Sequence, residues 1–70
     1  MDRFTLPTPA ARRLLREAAE LSLADIGVMV GATRSAVSRW ERGERRPRGE
    51  NRRRYAAVLA DLRSKVLPDD

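Results

Sequence analysis

Apolar residues recur along this chain at the three- and four-residue spacings of helices, and no stretch alternates as a strand would. Thr8 followed by Pro9 opens the first segment: a threonine oxygen can accept from first-turn N–H groups, and proline sits where a missing N–H costs nothing. Leu14, Leu15, Ala18 and Ala19 then share a face, with Arg12, Arg13, Arg16, Glu17 and Glu20 around them, which predicts a helix running to about Glu20. Phe4 and Leu6 precede it and are expected to fold back over the core. Ser22-Leu23-Ala24-Asp25 has the form of a capping box with the shorter acid, and Leu23, Ile26 and Val30 line one face of the two turns beyond it. Gly31 stands where a helix ends in a left-handed residue. Thr33 caps a third segment, with Ala36, Val37 and Trp40 inward and Arg34, Ser35, Ser38 and Arg39 outward, stopped at Arg42-Gly43. After a charged loop through Pro47, a last helix from near Glu50 carries Tyr55, Val58, Leu59, Leu62 and Val66. The pattern predicts an all-α fold, a compact bundle of four to five helices in one domain over residues 1–70. Flexible ends are expected at 1–7 and 67–70.

Two short helices joined by a glycine-containing turn make a helix-turn-helix, here over residues 22–42. Its geometry makes demands that this stretch meets. A small residue is needed where the second helix crosses the first, and Gly27 is there, although glycine in mid-helix costs about 1 kcal/mol relative to alanine. The turn needs tolerance of positive φ, which Gly31 supplies. Ile26, Val30, Val37 and Trp40 give the apolar contacts between the helices, and Arg34, Ser35, Ser38 and Arg39 give outward donors.

Charge changes the picture from fold to function. The net charge is +5, yet residues 34 to 54 alone hold nine arginines against three glutamates. Localised positive charge of this kind is the electrostatic footprint of a polyanion binder. Seventy residues without cysteine or histidine exclude disulfides, Ser-His and Cys-His hydrolysis and most zinc chemistry. No enzyme activity, cofactor, metal or small-molecule ligand is expected. Neither a signal peptide nor a membrane-length apolar run is present, so a soluble, intracellular protein is expected.

Leu15-Arg16-Glu17-Ala18, then Ser22 with Leu23-Ala24-Asp25-Ile26-Gly27, then Gly31 through Trp40-Glu41-Arg42-Gly43, and the downstream Pro47 resemble the Cro/phage-repressor (Xre-type) helix-turn-helix family over residues 11 to 62. The resemblance implies a lambda-repressor-like DNA-binding domain whose third helix enters the major groove. By it Thr33, Arg34, Ser35, Ser38 and Arg39 are the candidate base readers, the two arginines having the fork that matches guanine O6 and N7. Arg42, Arg45, Arg46, Arg48, Arg52 and Arg53, with Ser22, are candidates for phosphate, because a loop flanking the groove cannot reach base edges. Arg54 closes the run Arg52-Arg53-Arg54 and belongs with these phosphate candidates, although its helical spacing from Tyr55 can turn it away. Glu41 commonly pairs in this family with an arginine of the first helix, for which Arg16 is the candidate. Gly27, Gly31 and Trp40 are structural candidates beside that pair. Leu23 departs from the family, which often has glutamine there to reach a phosphate or base.

The function implied is that of a sequence-specific transcription regulator on double-stranded operator DNA, a phage or prophage Cro-like protein or small repressor. It would act in the bacterial cytoplasm at the nucleoid, with a homodimer on the DNA as one arrangement. The alternative is an antitoxin or excision accessory protein of the same fold that works through protein partners as well as DNA. A single-stranded nucleic-acid reading is weak, because Trp40 and Tyr55 are expected in the core and leave no aromatic side chain for base stacking.

Overall fold

The computed structural model describes residues 6–67; Phe4 lies outside the described residues. Four helices follow in chain order: α1 (Pro9–Ala18), α2 (Leu23–Val30), α3 (Arg34–Glu41) and α4 (Gly49–Val66). No strand occurs among the described residues. The all-helical expectation therefore holds, with four helices as the number.

Each of the first three helices begins on a side-chain cap. Thr8 Oγ1 accepts from the Ala11 N–H at 3.2 Å, and Thr33 Oγ1 accepts from the Ala36 N–H at 3.0 Å. At α2 the exchange is reciprocal: the Asp25 N–H donates to Ser22 Oγ at 3.0 Å and the Ser22 N–H donates to the Asp25 carboxylate at 2.8 Å. Such caps hold N–H groups that the helix cannot pair itself, each contributing about 1 kcal/mol. α4 starts at Gly49 from an Arg48 with no side-chain cap.

α1 ends two residues before the expected Glu20. Glu20 has φ of 59°, the left-handed region, and the Leu21 N–H reaches back to the Arg16 carbonyl at 3.1 Å while Glu20 donates to Glu17 at 3.0 Å. This paired closure is normally made with glycine. Here a glutamate makes it, and no glycine in the sequence marks the end.

The core consists of Ile26, Val30, Val37, Trp40, Tyr55, Leu59 and Leu62, with Leu15, Ala19, Leu21, Leu23, Ala36 and Val58 packed at its margin. Burying each large side chain contributes roughly 1.5–3 kcal/mol relative to exposure. Trp40 and Tyr55 meet with ring centroids 5.0 Å apart and planes tilted by 38°. That contact joins α3 to α4 at the middle of the bundle.

α1 departs from the expected packing. Leu14 is 67% exposed and Ala18 is exposed, and no residue of the helix is fully buried. The inward row is Arg12, Leu15, Arg16 and Ala19 instead, because two guanidinium groups take up this helix's inner face. Arg12 Nε donates to the Pro7 carbonyl at 2.8 Å and Nη1 to the Trp40 carbonyl at 3.2 Å, and its Cζ lies 5.7 Å from the centre of the Tyr55 ring. Leu6 packs against the core, as expected, and Pro7 is fixed through its carbonyl, so the lead-in assigned to 1–7 is held at 6 and 7.

Candidate nucleic-acid interface

The angle between α2 and α3 is set by backbone. Gly31 has φ of 85°, and its N–H and that of Ala32 both donate to the Gly27 carbonyl at 2.8 Å. A side chain at Gly27 would put its Cβ 2.7 Å from the Ala32 carbonyl oxygen and 3.5 Å from the Arg34 nitrogen. The small residue is thus required by the turn entering α3, a closer neighbour than the crossing helix itself.

With Val37 and Trp40 buried, the opposite face of α3 presents Arg34, Ser35 and Arg39 to solvent and Ser38 half-buried. Together with Leu23 and Arg42 they line an open cavity of about 290 Å³. Thr33 sits exposed at the start of this face; its oxygen is used as the cap, but its hydroxyl hydrogen is still available. Ser22 is in the same position, with the difference that the Asp25 carboxylate lies beside it. The Ser22 N–H, donating at 2.8 Å, is the main reason that this carboxylate lies below the ordinary aspartate range.

The loop and the start of α4 gather more arginine. Arg45, Arg46, Arg48 and Arg52 surround a cavity of about 680 Å³, with Arg12 and Trp40 also among its walls. Among the described residues none of these four, and neither Arg34 nor Arg39, makes an ion pair. The other candidates are already engaged. Arg42 pairs with Glu44 at 2.8 Å, and Glu50 holds Arg53 at 3.0 Å and Arg54 at 3.5 Å. Arg54 Nη1 also reaches the helix-turn-helix turn, 3.0 Å from where a Cβ on Gly31 would stand.

Behind this face, Arg16 Nε and Nη2 donate to the two Glu41 carboxylate oxygens at 2.6 and 3.0 Å, with side chains only 13% and 6% exposed. Arg16 Nη1 donates to the Leu21 carbonyl at 2.9 Å. Donating these hydrogen bonds to Glu41 raises the Arg16 pKa still further, against the opposing effect of burial. Arg12 is the contributor that sequence reasoning missed here, whereas Leu23, seen in the sequence as a departure from the family, lines the α3 face. The four-residue step from Arg12 to Arg16, which puts both on one row of α1, was the available signal for Arg12. Trp40 is buried and offers no stacking surface. Among the described residues no group of three or more His, Cys, Asp or Glu could hold a metal ion, and no helix is long and apolar enough to cross a membrane.

A helix-turn-helix family model matches residues 13–60, well over half of the chain. The chain belongs to the Cro/C1-type, Xre-like helix-turn-helix family. That family is one of DNA-binding regulatory domains and is not enzymatic. No curated protein and no solved structure matches this Xre-like chain. The matched span runs from within α1 to within α4, so it takes in the whole helix-turn-helix, the Arg16–Glu41 pair and the arginine loop.

Proposed function

We propose that this Xre-like protein is a sequence-specific regulator of transcription on double-stranded DNA, a Cro-like protein or small repressor of phage or prophage origin. The observation that carries the reading is the division of α3 into two faces. Val37 and Trp40 are fully committed to the core, while Arg34 and Arg39 stand unpaired among the described residues beside Ser35 and Ser38. A helix so divided can be laid in the major groove with its donors against base edges.

Arg34 and Arg39 are then the guanine readers, with Thr33, Ser35 and Ser38 as shorter donors or acceptors. Arg45, Arg46, Arg48 and Arg52 hold phosphates directly. Arg42 and Arg53 do so after releasing Glu44 and Glu50. Ser22 can donate its hydroxyl hydrogen to a phosphate that tolerates Asp25 as a neighbour. The operator is bound by two copies, supported by a largely apolar groove of about 470 Å³ between α1 and the end of α4, where Leu14 and Leu67 are 67% and 61% exposed. The setting is the bacterial cytoplasm. The same groove favours the second reading, an antitoxin or excision accessory protein that grips a protein partner.

Selection of bound sequences from a random duplex pool tests the proposal. A defined motif is expected, with affinity falling on a log–log salt slope of about −0.9 per phosphate neutralised. Arg39→Ala should relax the motif, whereas Arg53→Ala should weaken all duplexes alike. Equal loss on selected and random duplex for Arg39→Ala would remove the base-reading role. Sedimentation with and without the selected duplex decides between one copy and two.

A further inference from the structure

Leu23 is the first residue of α2 and has two environments. Part of its side chain packs at the margin of the core, and the rest forms a wall of the cavity on the outer face of α3. The other five residues of that wall, Arg34, Ser35, Ser38, Arg39 and Arg42, all end in hydrogen-bonding groups. Leucine is therefore the single apolar side chain on a surface otherwise built from donors. Helix capping does not call for it, because Ser22 and Asp25 close the N-terminus of α2 between them.

An apolar side chain beside guanidinium forks has one partner in the major groove. Guanine, cytosine and adenine offer donors, acceptors and at most a ring C–H there, whereas thymine adds a C5-methyl group. We infer that Leu23 is a specificity-determining residue that receives the C5-methyl of a thymine adjacent to the bases read by the arginines and serines of α3. This rests on the duplex-reading proposal above and adds a chemical requirement to it: the site must contain a methyl group at a fixed position, beyond its pattern of hydrogen bonds.

The test uses the full chain and the duplex recovered by selection. Each thymine is replaced in turn by uracil, which removes the methyl and leaves every hydrogen-bonding group in place. One uracil position is expected to weaken binding about fourfold, the effect of moving one methyl-sized group from water to an apolar contact. In Leu23→Ala that penalty should vanish. Leu23→Gln, which keeps a side chain of similar length, should also lose it, and Leu23→Met should keep it. Circular dichroism and thermal melting identify any variant that fails to fold, and the uracil scan on the unaltered protein stands without variants. A selected motif with no uracil penalty overturns the Leu23 role while leaving duplex recognition intact. A penalty of the same size in a folded Leu23→Ala or Leu23→Gln assigns the methyl to another residue and also overturns it. Failure to select any motif overturns both.

Discussion

Arg16 and Glu41, 25 positions apart in sequence, join α1 to the C-terminal end of α3 by two hydrogen bonds of 2.6 and 3.0 Å in a place almost closed to water. A charge pair removed from solvent contributes little beyond an apolar pair of the same shape, but either member alone is left charged, buried and unpaired. Glu41→Ala should thus destabilise the domain by about 3–5 kcal/mol, and Arg16→Met/Glu41→Leu together should cost far less than the sum of the two single changes. Urea unfolding of Glu41→Ala, of the two single changes Arg16→Met and Glu41→Leu, and of the double variant checks this. Additive losses would mean that the two side chains act independently.

Tyr55 gives the opposite expectation. Its hydroxyl is buried with no hydrogen-bond partner among the described residues, while its ring packs on Trp40 and under Arg12. Tyr55→Phe removes a desolvated polar group and keeps the packing, so the change should lie between neutral and about 1 kcal/mol stabilising. Burial also raises the phenol pKa. A raised folded-state value means that the unfolded chain loses the proton first, so Tyr55's contribution is intact below the unfolded pKa near 10 and is lost as pH climbs toward the higher folded value. Melting temperatures measured from pH 9 to 11 should decline more steeply for the unaltered protein than for Tyr55→Phe.

Glu20 holds φ of 59° at the end of α1 without glycine's freedom. Glu20→Gly should raise stability by about 1 kcal/mol, the cost of placing a Cβ in the left-handed region less glycine's greater unfolded entropy. A melting temperature that falls would show that the glutamate side chain contributes more than its backbone loses.

Glu50 occupies Arg53 and Arg54 at once. If these arginines face phosphate, Glu50→Gln releases them and lowers the negative charge near the duplex. Affinity should rise about 1.4- to fivefold, in line with surface pairs of ~0.2–1 kcal/mol, and equally for selected and random DNA. Titration of both duplexes at fixed low salt reads this directly, and a gain confined to the selected duplex would place Glu50 at a base edge.

The helix-turn-helix was legible because its signals are local. Capping residues Ser22 and Thr33, the left-handed Gly31 and the inward row of Ile26, Val30, Val37 and Trp40 each act within a few residues of themselves. α1 was less legible. Its leucine spacing suggested an apolar inner face, but the carbonyls of Pro7, Leu21 and Trp40 and the carboxylate of Glu41 draw Arg12 and Arg16 inward, and those partners lie up to 28 positions away. Its end was hidden for a related reason: Glu20 adopts a glycine's conformation because Leu21 must reach both the Arg16 carbonyl and the core margin. At the candidate interface the arginines were countable in advance. Which of them are already paired, and that Leu23 stands among them, depends on side-chain directions that spacing does not give.

The hinge between α2 and α3 has a consequence for how such a protein can change. Two N–H groups on the Gly27 carbonyl and a Cβ-free position beneath Ala32 fix the hinge with backbone atoms alone. Arg34, Ser35 and Arg39 take no part in it and are exposed, so they carry little of the folding free energy. Their identities can drift, or be transplanted from another protein, while the scaffold keeps its shape. One frame of this kind can carry a different outer face after a few substitutions, without passing through unfolded intermediates.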